Sequence, residues 1–293
     1  MKFRGFCTLL IVLVISLLAS RAYADTVVLG SAASFAVLGA SAVTNTLKTT
    51  INNGNVGSFP TNALSGTGGC GTDCIAFSGG MDVTATTANQ NDLTAAIVGL
   101  SNLSSFSLSP VGFIAGNITL TPGVYSTGST FLLTGGDTLT LNAGGLNNVS
   151  FVFLVGSALT TGVGSTVKLI NPGLNDGVYW VEQGTGGSAT LGTSSTFVGN
   201  ILASVSITLN TGVTITCGRA LANTAAVTMN NDTITTGCGS SLNISSGGTV
   251  EAVPGGSIPG PGSAPGGGTT PESGTLLLVG FGIFGLVALR KLT

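Results

Sequence analysis

Ser188-Ala-Thr-Leu191, Ser206-Ile-Thr-Leu209 and Ala226-Val-Thr-Met229 are one phrase written three times, at intervals of roughly twenty residues. Between them stand Ser195-Thr-Phe-Val-Gly199, Val213-Thr-Ile-Thr-Cys217 and Asp232-Thr-Ile-Thr235, followed by Asn200-Ile-Leu-Ala203 and Arg219-Ala-Leu-Ala222. Small polar and apolar residues alternate along the phrases, the pattern of a strand with one buried face. Three such strands per period, joined by Gly and Asn, predict a three-sided β-solenoid of stacked coils.

Carried back to Gly112, the pattern sorts into three sides. A first side takes Thr130-Phe-Leu-Leu133, Ser157-Ala-Leu-Thr160 and the three opening phrases. A second takes Asp137-Thr-Leu-Thr-Leu141, Ser165-Thr-Val-Lys-Leu169, Ser195-Thr-Phe-Val198, Val213-Thr-Ile-Thr216 and Asp232-Thr-Ile-Thr235. The third takes Gly123-Val-Tyr125, Val149-Ser-Phe-Val-Phe-Leu-Val155, Gly177-Val-Tyr-Trp-Val181, Ile201-Leu-Ala203 and Ala220-Leu-Ala222. This third side is apolar on both faces, so something must cover it. Leu93, Ala96, Leu100 and Leu103 make the one convincing amphipathic stripe, which predicts a helix near residues 83–103 that docks there. Residues 26–60 hold further short β-like runs, and residues 61–80 are Gly-rich and loop-like.

Composition excludes most chemistry. The chain has 47 Gly, 6% charged residues and no His, which leaves little for acid–base catalysis, metal binding or nucleic acid contact. Neither an enzyme nor a cofactor is expected. Met1 to Ala24 has a basic start, an apolar run and an Ala22-Tyr-Ala24 cleavage site, and reads as a signal peptide over 1–24. Residues 25–240 form the solenoid domain. The Gly/Pro/Ser-rich stretch 241–270 is a linker without capacity to form a core. Residues 271–293, with Pro271-Glu272, a Gly-spaced apolar run and Arg290-Lys291, resemble a PEP-CTERM sorting tail; Ser273 replaces its usual second proline. That resemblance implies export in a Gram-negative bacterium, to the envelope, matrix or medium, and a sorting protease as partner. Without its ends the chain keeps only Lys48, Lys168 and Arg219 as basic residues, which disfavours nucleic acid.

Val28-Leu-Gly-Ser-Ala-Ala-Ser-Phe-Ala-Val-Leu38, Ala42-Val-Thr-Asn-Thr46, Gly54-Asn-Val-Gly57, Leu120-Thr-Pro-Gly-Val-Tyr125, Ala189-Thr-Leu-Gly-Thr193, Phe197-Val-Gly-Asn-Ile-Leu-Ala203 and Gly218-Arg-Ala-Leu-Ala222 resemble the microbial ice-binding proteins, in order, across residues 26–236. The resemblance implies a mainly β protein: a right-handed, discontinuous β-solenoid of triangular section with one long helix alongside. It also implies adsorption to ice through a flat side rich in Thr, Ser and Ala. The family has no strict ice-binding motif, so the choice of side comes from this chain.

Two sides present hydroxyls. The first offers Ser188, Thr190, Ser206, Thr208, Ala226 and Thr228, and is preferred because it carries no charge. The second offers Thr138, Thr140, Thr166, Thr196, Thr214, Thr216, Thr233 and Thr235, but includes Lys168, whose long chain would disturb a flat water layer. Threonine is also simply a good strand residue. The carboxylates Asp137, Asp176, Glu182 and Asp232 read as turn or edge residues. Cys7 leaves with the signal, and the four remaining cysteines suggest Cys217–Cys238, about one coil apart, and Cys70–Cys74. Neither pair has zinc-site spacing, and no metal is expected. The expected partner is ice, met by a monomer. A structural or adhesive surface protein without ice activity is the alternative.

Overall fold

The computed structural model describes residues 29–66, 74–78, 85–107, 113–114 and 116–237. The stretches read above as signal peptide, linker and sorting tail lie outside these residues, as do Cys70 and Cys238. The chain opens with a 3-10 turn, Gly30–Ser34, and then β1 (Phe35–Gly39), β2 (Val43–Thr46), β3 (Lys48–Asn52), β4 (Asn55–Ser58), β5 (Leu64–Ser65) and β6 (Cys74–Ser78). The helix α1 spans Thr87–Ser101. The lower coils follow: β7 (Phe106–Ser107), β8 (Phe113–Ile114), β9 (Ile118–Leu120), β10 (Gly123–Thr127), β11 (Phe131–Leu133), β12 (Thr138–Asn142), β13 (Ser150–Val155), β14 (Ala158–Thr161) and β15 (Thr166–Ile170). Above them come β16 (Gly177–Glu182), β17 (Ser188–Leu191), β18 (Thr196–Ala203), β19 (Ile207–Leu209), β20 (Thr214–Ala222), β21 (Val227–Asn230) and β22 (Thr233–Thr235).

Neighbouring coils pair in parallel, and the three expected sides form as read. The first side runs β5-β2-β21-β19-β17-β14-β11-β8. The second side continues past β22 to β3 and β6. The long strands β18 and β20 turn the corner from the second side to the third. Gly199 makes that corner at φ 107, where a Cβ would sit 2.6 Å from Val178 Cγ1, so only glycine fits.

The stacking order differs from the chain order. The N-terminal coil does not adjoin the next coil in sequence but caps the last one: Val37 aligns with Ala220, Val43 with Val227, and Ile51 with Ile234. Arg219 fastens this closure. Its Nε and Nη2 donate to Ala33 O at 3.0 and 2.6 Å, and its Nη1 donates to Asn200 Oδ1 at 3.0 Å.

Because the first coil ends up on top and the following one at the bottom, the chain must travel down the stack. The helix makes that journey. Fifteen residues rise about 22 Å, between four and five rungs of roughly 4.8 Å. Leu93, Ala96, Ile97 and Leu100 bury against the outer residues Leu38, Val152, Leu154, Tyr179, Val181, Leu202 and Leu221 of the third side. The helix is shorter than the expected 83–103. It begins after Thr86, whose N–H and hydroxyl both donate to Asn89 Oδ1 at 2.8 Å, and Leu103 packs from beyond its end. Ile97 and Gln90 join the buried stripe; Gln90 Nε2 donates to Gly39 O at 3.1 Å.

Inside the triangle runs a continuous apolar column. Its aromatic centre stacks Phe153 on Trp180 at 3.9 Å, with Phe131 edge-on at 5.2 Å. Trp180 Nε1 donates to Val198 O at 3.0 Å, which satisfies its one polar atom. Cys74 is buried and disulfide-bonded, and Cys217 is buried at the corner of the second and third sides. With Cys70 and Cys238 outside the described residues, both pairings stand as proposals.

Candidate functional site

The first side is a two-column lattice. On its outer face Thr160, Thr190, Thr208, Thr228 and Thr44 stand in register on five consecutive strands. Beside them Ala158 aligns with Ser188, and Ser206 and Ala226 continue that row because Ala189, Ile207 and Val227 align. Rungs repeat about every 4.8 Å and alternate residues along a strand about every 6.7 Å. Hydroxyls meet across rungs: Ser206 donates to Ser188 at 3.1 Å and Thr44 to Thr228 at 3.2 Å.

The platform beneath is rigid. Leu159, Ala189, Leu191, Ile207, Leu209, Val227 and Met229 point inward and are buried at 0–1% exposure, so each threonine stands on close-packed core. β-Branching then holds its methyl and hydroxyl in one orientation. No strand of this side carries a charged residue.

All six expected residues, Ser188, Thr190, Ser206, Thr208, Ala226 and Thr228, share this outer face. Sequence reasoning omitted Thr44, Ala158 and Thr160 from it. Thr160 stood in an already recognised phrase. Ala42-Val-Thr44 repeats Ala226-Val-Thr228, and that likeness was the available signal for the N-terminal rung.

The second side brings its expected residues together as well. Thr138, Thr166, Thr196, Thr214 and Thr233 stand in one register, extended by Thr50. Its second column is broken. Lys168 stands opposite Thr140 and is exposed, and Val198 stands opposite Thr216, so Thr119 and Thr140 are cut off from Thr216 and Thr235. A second exposed lysine, Lys48, opens β3 on the same side.

The acidic residues serve the turns, with one exception. Asp176 accepts from Val149 N at 3.1 Å and Gly173 N at 2.7 Å, and burial raises its carboxyl. Asp232 accepts from Val213 N at 2.8 Å and Asn230 N at 2.7 Å; burial outweighs these bonds and pushes it up to about 7. Asp137 accepts from Gly116 N at 2.7 Å. Glu182 departs from its expected turn or edge role. It lies wholly inside the solenoid, because the period-2 alternation of β16 turns its last residue inward. Among the described residues no group of three or more His, Cys, Asp or Glu is placed to hold a metal.

Known proteins share this architecture. The family described as "Ice-binding-like" matches residues 37–235. The chain belongs to this ice-binding family. An ice-binding protein of Nostoc sp. (strain HG1) is 38% identical over 243 residues, covering 80% of this chain and 84% of that one. The crystal structure of an ice-binding protein from an Antarctic biological consortium is 32% identical with a TM-score of 0.64, over 74% of this chain and 93% of that one. The ice-binding protein 1 domain of Shewanella frigidimarina is 27% identical with a TM-score of 0.60, over 73% and 98%. This membership agrees with the stacked parallel coils and the one α-helix found among the described residues.

Proposed function

We propose that this protein adsorbs to ice through its first side and so inhibits ice growth and recrystallisation. The observation that carries the reading is the in-register row Thr160–Thr190–Thr208–Thr228–Thr44, flanked by Ala158, Ser188, Ser206 and Ala226. Methyls on a rigid lattice order the neighbouring water, and hydroxyls bond to it, so the side carries an ice-like layer that merges with the crystal. Each contact is weak. Their sum over a large crystal makes desorption slow, and ice growing between adsorbed molecules must curve, which lowers its freezing point. The role needs no catalytic group and no cofactor.

Lys48 and Lys168 weigh against the second side as the ice surface. The matched substitutions Thr208→Tyr and Thr214→Tyr test the choice, since both sites are partly exposed strand positions. Thermal hysteresis lost only in the first supports the reading. Loss only in the second assigns the role to Thr138, Thr140, Thr166, Thr196, Thr214, Thr216, Thr233 and Thr235. A folded protein without any ice activity would instead fit a structural or adhesive role.

We further propose export with removal of residues 1–24, a monomeric solenoid stapled by Cys217–Cys238 and Cys70–Cys74, and a C-terminal tail read by a sorting protease of a Gram-negative envelope.

A further inference from the structure

Glu182 ends β16, one turn before β17 begins. It aligns with Val155 on one rung and with Ala203 on the next, and Ala203 aligns with Ala222. All three neighbours belong to the inner core, so the carboxyl group sits inside the solenoid. It is 0% exposed, and among the described residues no group beyond its own backbone N–H is placed to bond its oxygens.

No charge stands ready to compensate it. The strands β13, β14, β17, β18 and β19 contain no titratable residue, and neither does the turn Gln183-Gly-Thr-Gly-Gly187. Tyr179 of β16 packs on the opposite face, beneath the helix, and Arg219 of β20 is engaged with Ala33 and Asn200 three residues back from the Glu182 register. An ionised carboxylate cannot persist in such surroundings. Burial accordingly raises this carboxyl well above its ordinary range.

The backbone around Glu182 is clipped to both neighbouring rungs. Gln183 N donates to Val155 O at 2.9 Å, Ser204 N donates to Glu182 O at 3.2 Å, and the Ser204 hydroxyl donates to the same oxygen. Val205 N donates to Gly187 O at 2.8 Å, immediately before Ser188 and Thr190 take their places on the first side. To reach water the carboxyl must leave through this turn, and the clips cannot hold while it does.

We propose that Glu182, kept as the neutral acid inside the solenoid, is a proton-dependent lock on the turn that delivers β17 to the first side. Its loss of a proton unseats the middle of the hydroxyl lattice; this link to adsorption rests on the ice-binding reading above. In the unfolded chain the same residue ionises near its ordinary value of 4.5. Above that pH the folded form must retain a proton that the unfolded form has released. The folded-to-unfolded ratio therefore falls about tenfold per pH unit, until the buried carboxyl itself ionises.

The test compares the wild type with Glu182→Gln and Glu182→Leu from pH 5 to pH 9. Thermal melting by circular dichroism and the fraction of protein taken into slowly grown ice are both read. The melting temperature of the wild type should drop below those of both variants by roughly 3–5 °C more with each pH unit. Wild-type ice uptake should stay level while that gap widens and fall once the widening stops, where the folded carboxyl loses its proton, while that of Glu182→Leu stays level throughout. Asp176 and Asp232 titrate in all three proteins and cancel in the comparison. Parallel melting profiles, or wild-type ice uptake unchanged past the pH at which the widening stops, would overturn the lock. A widening melting gap in proteins that never enter ice would uphold the buried acid and defeat the ice-binding reading instead.

Discussion

Thr208 occupies the middle of the five-rung threonine row, and its replacement by tyrosine should cost the protein its ice activity but not its fold. The side chain is partly exposed and lies between Thr190 and Thr228 in register. Tyrosine favours strands, so the folding penalty stays within about 0.5 kcal/mol. The surface consequence is larger. The unbroken row spans four rung intervals, about 19 Å, and a ring in its centre leaves single intervals of about 5 Å on either side. A gap of even 1 Å forfeits a quarter to a half of a dispersion contact, and a phenol ring lifts its neighbours further than that. If six contacts worth about 0.5 kcal/mol each are lost, adsorption weakens by about 3 kcal/mol, roughly a hundredfold in residence. The assay is thermal hysteresis measured beside a circular dichroism melt. Thr208→Tyr should retain less than about a tenth of the wild-type hysteresis with an unchanged melt. Full hysteresis in a folded Thr208→Tyr protein would refute the argument from a flat hydroxyl lattice.

Arg219→Ala strands Ala33 O and Asn200 Oδ1 and loosens the N-terminal closure; a loss of about 2–4 kcal/mol in urea unfolding should appear, and unchanged stability would deny Arg219 the fastening role. Non-reducing peptide mapping of exported protein should recover Cys70–Cys74 and Cys217–Cys238, with Cys217→Ser lowering stability by about 2–4 kcal/mol; four free thiols would exclude both staples. Asp232, raised by burial to about 7, releases its proton later in the folded than in the unfolded chain, so it contributes a decline of stability as pH rises from near 4 to near 7. Asp232→Asn should flatten that part of the melting profile, and an identical slope in wild type and variant would contradict the assignment.

The coils from β16 onward were legible because one phrase recurs every turn and its alternation fixes which residues point inward. The need for a cover on the third side followed from Val152, Leu154, Val181 and Leu202, apolar residues that the same alternation turns outward. What the chain order concealed was the closure. Val43 pairs with Val227 across nearly the whole domain, and no local propensity encodes a partner so distant. Thr44 was lost from the expected surface for that reason. Glu182 was missed because a polar residue at a strand end reads as exposed, and only the neighbouring rungs, Val155 and Ala203, reveal that it faces the core. The helix start was misplaced because Thr86 and Asn89, a polar pair without periodicity, decide it.

The most direct measurement is the growth of a single ice crystal in a solution of the purified, unsubstituted protein, cooled slowly below its melting point. Adsorption through the first side predicts a faceted crystal that holds its size across a measurable gap between melting and freezing. A rounded crystal that grows as soon as the temperature falls below melting, in protein whose circular dichroism melt shows it folded, would contradict the account.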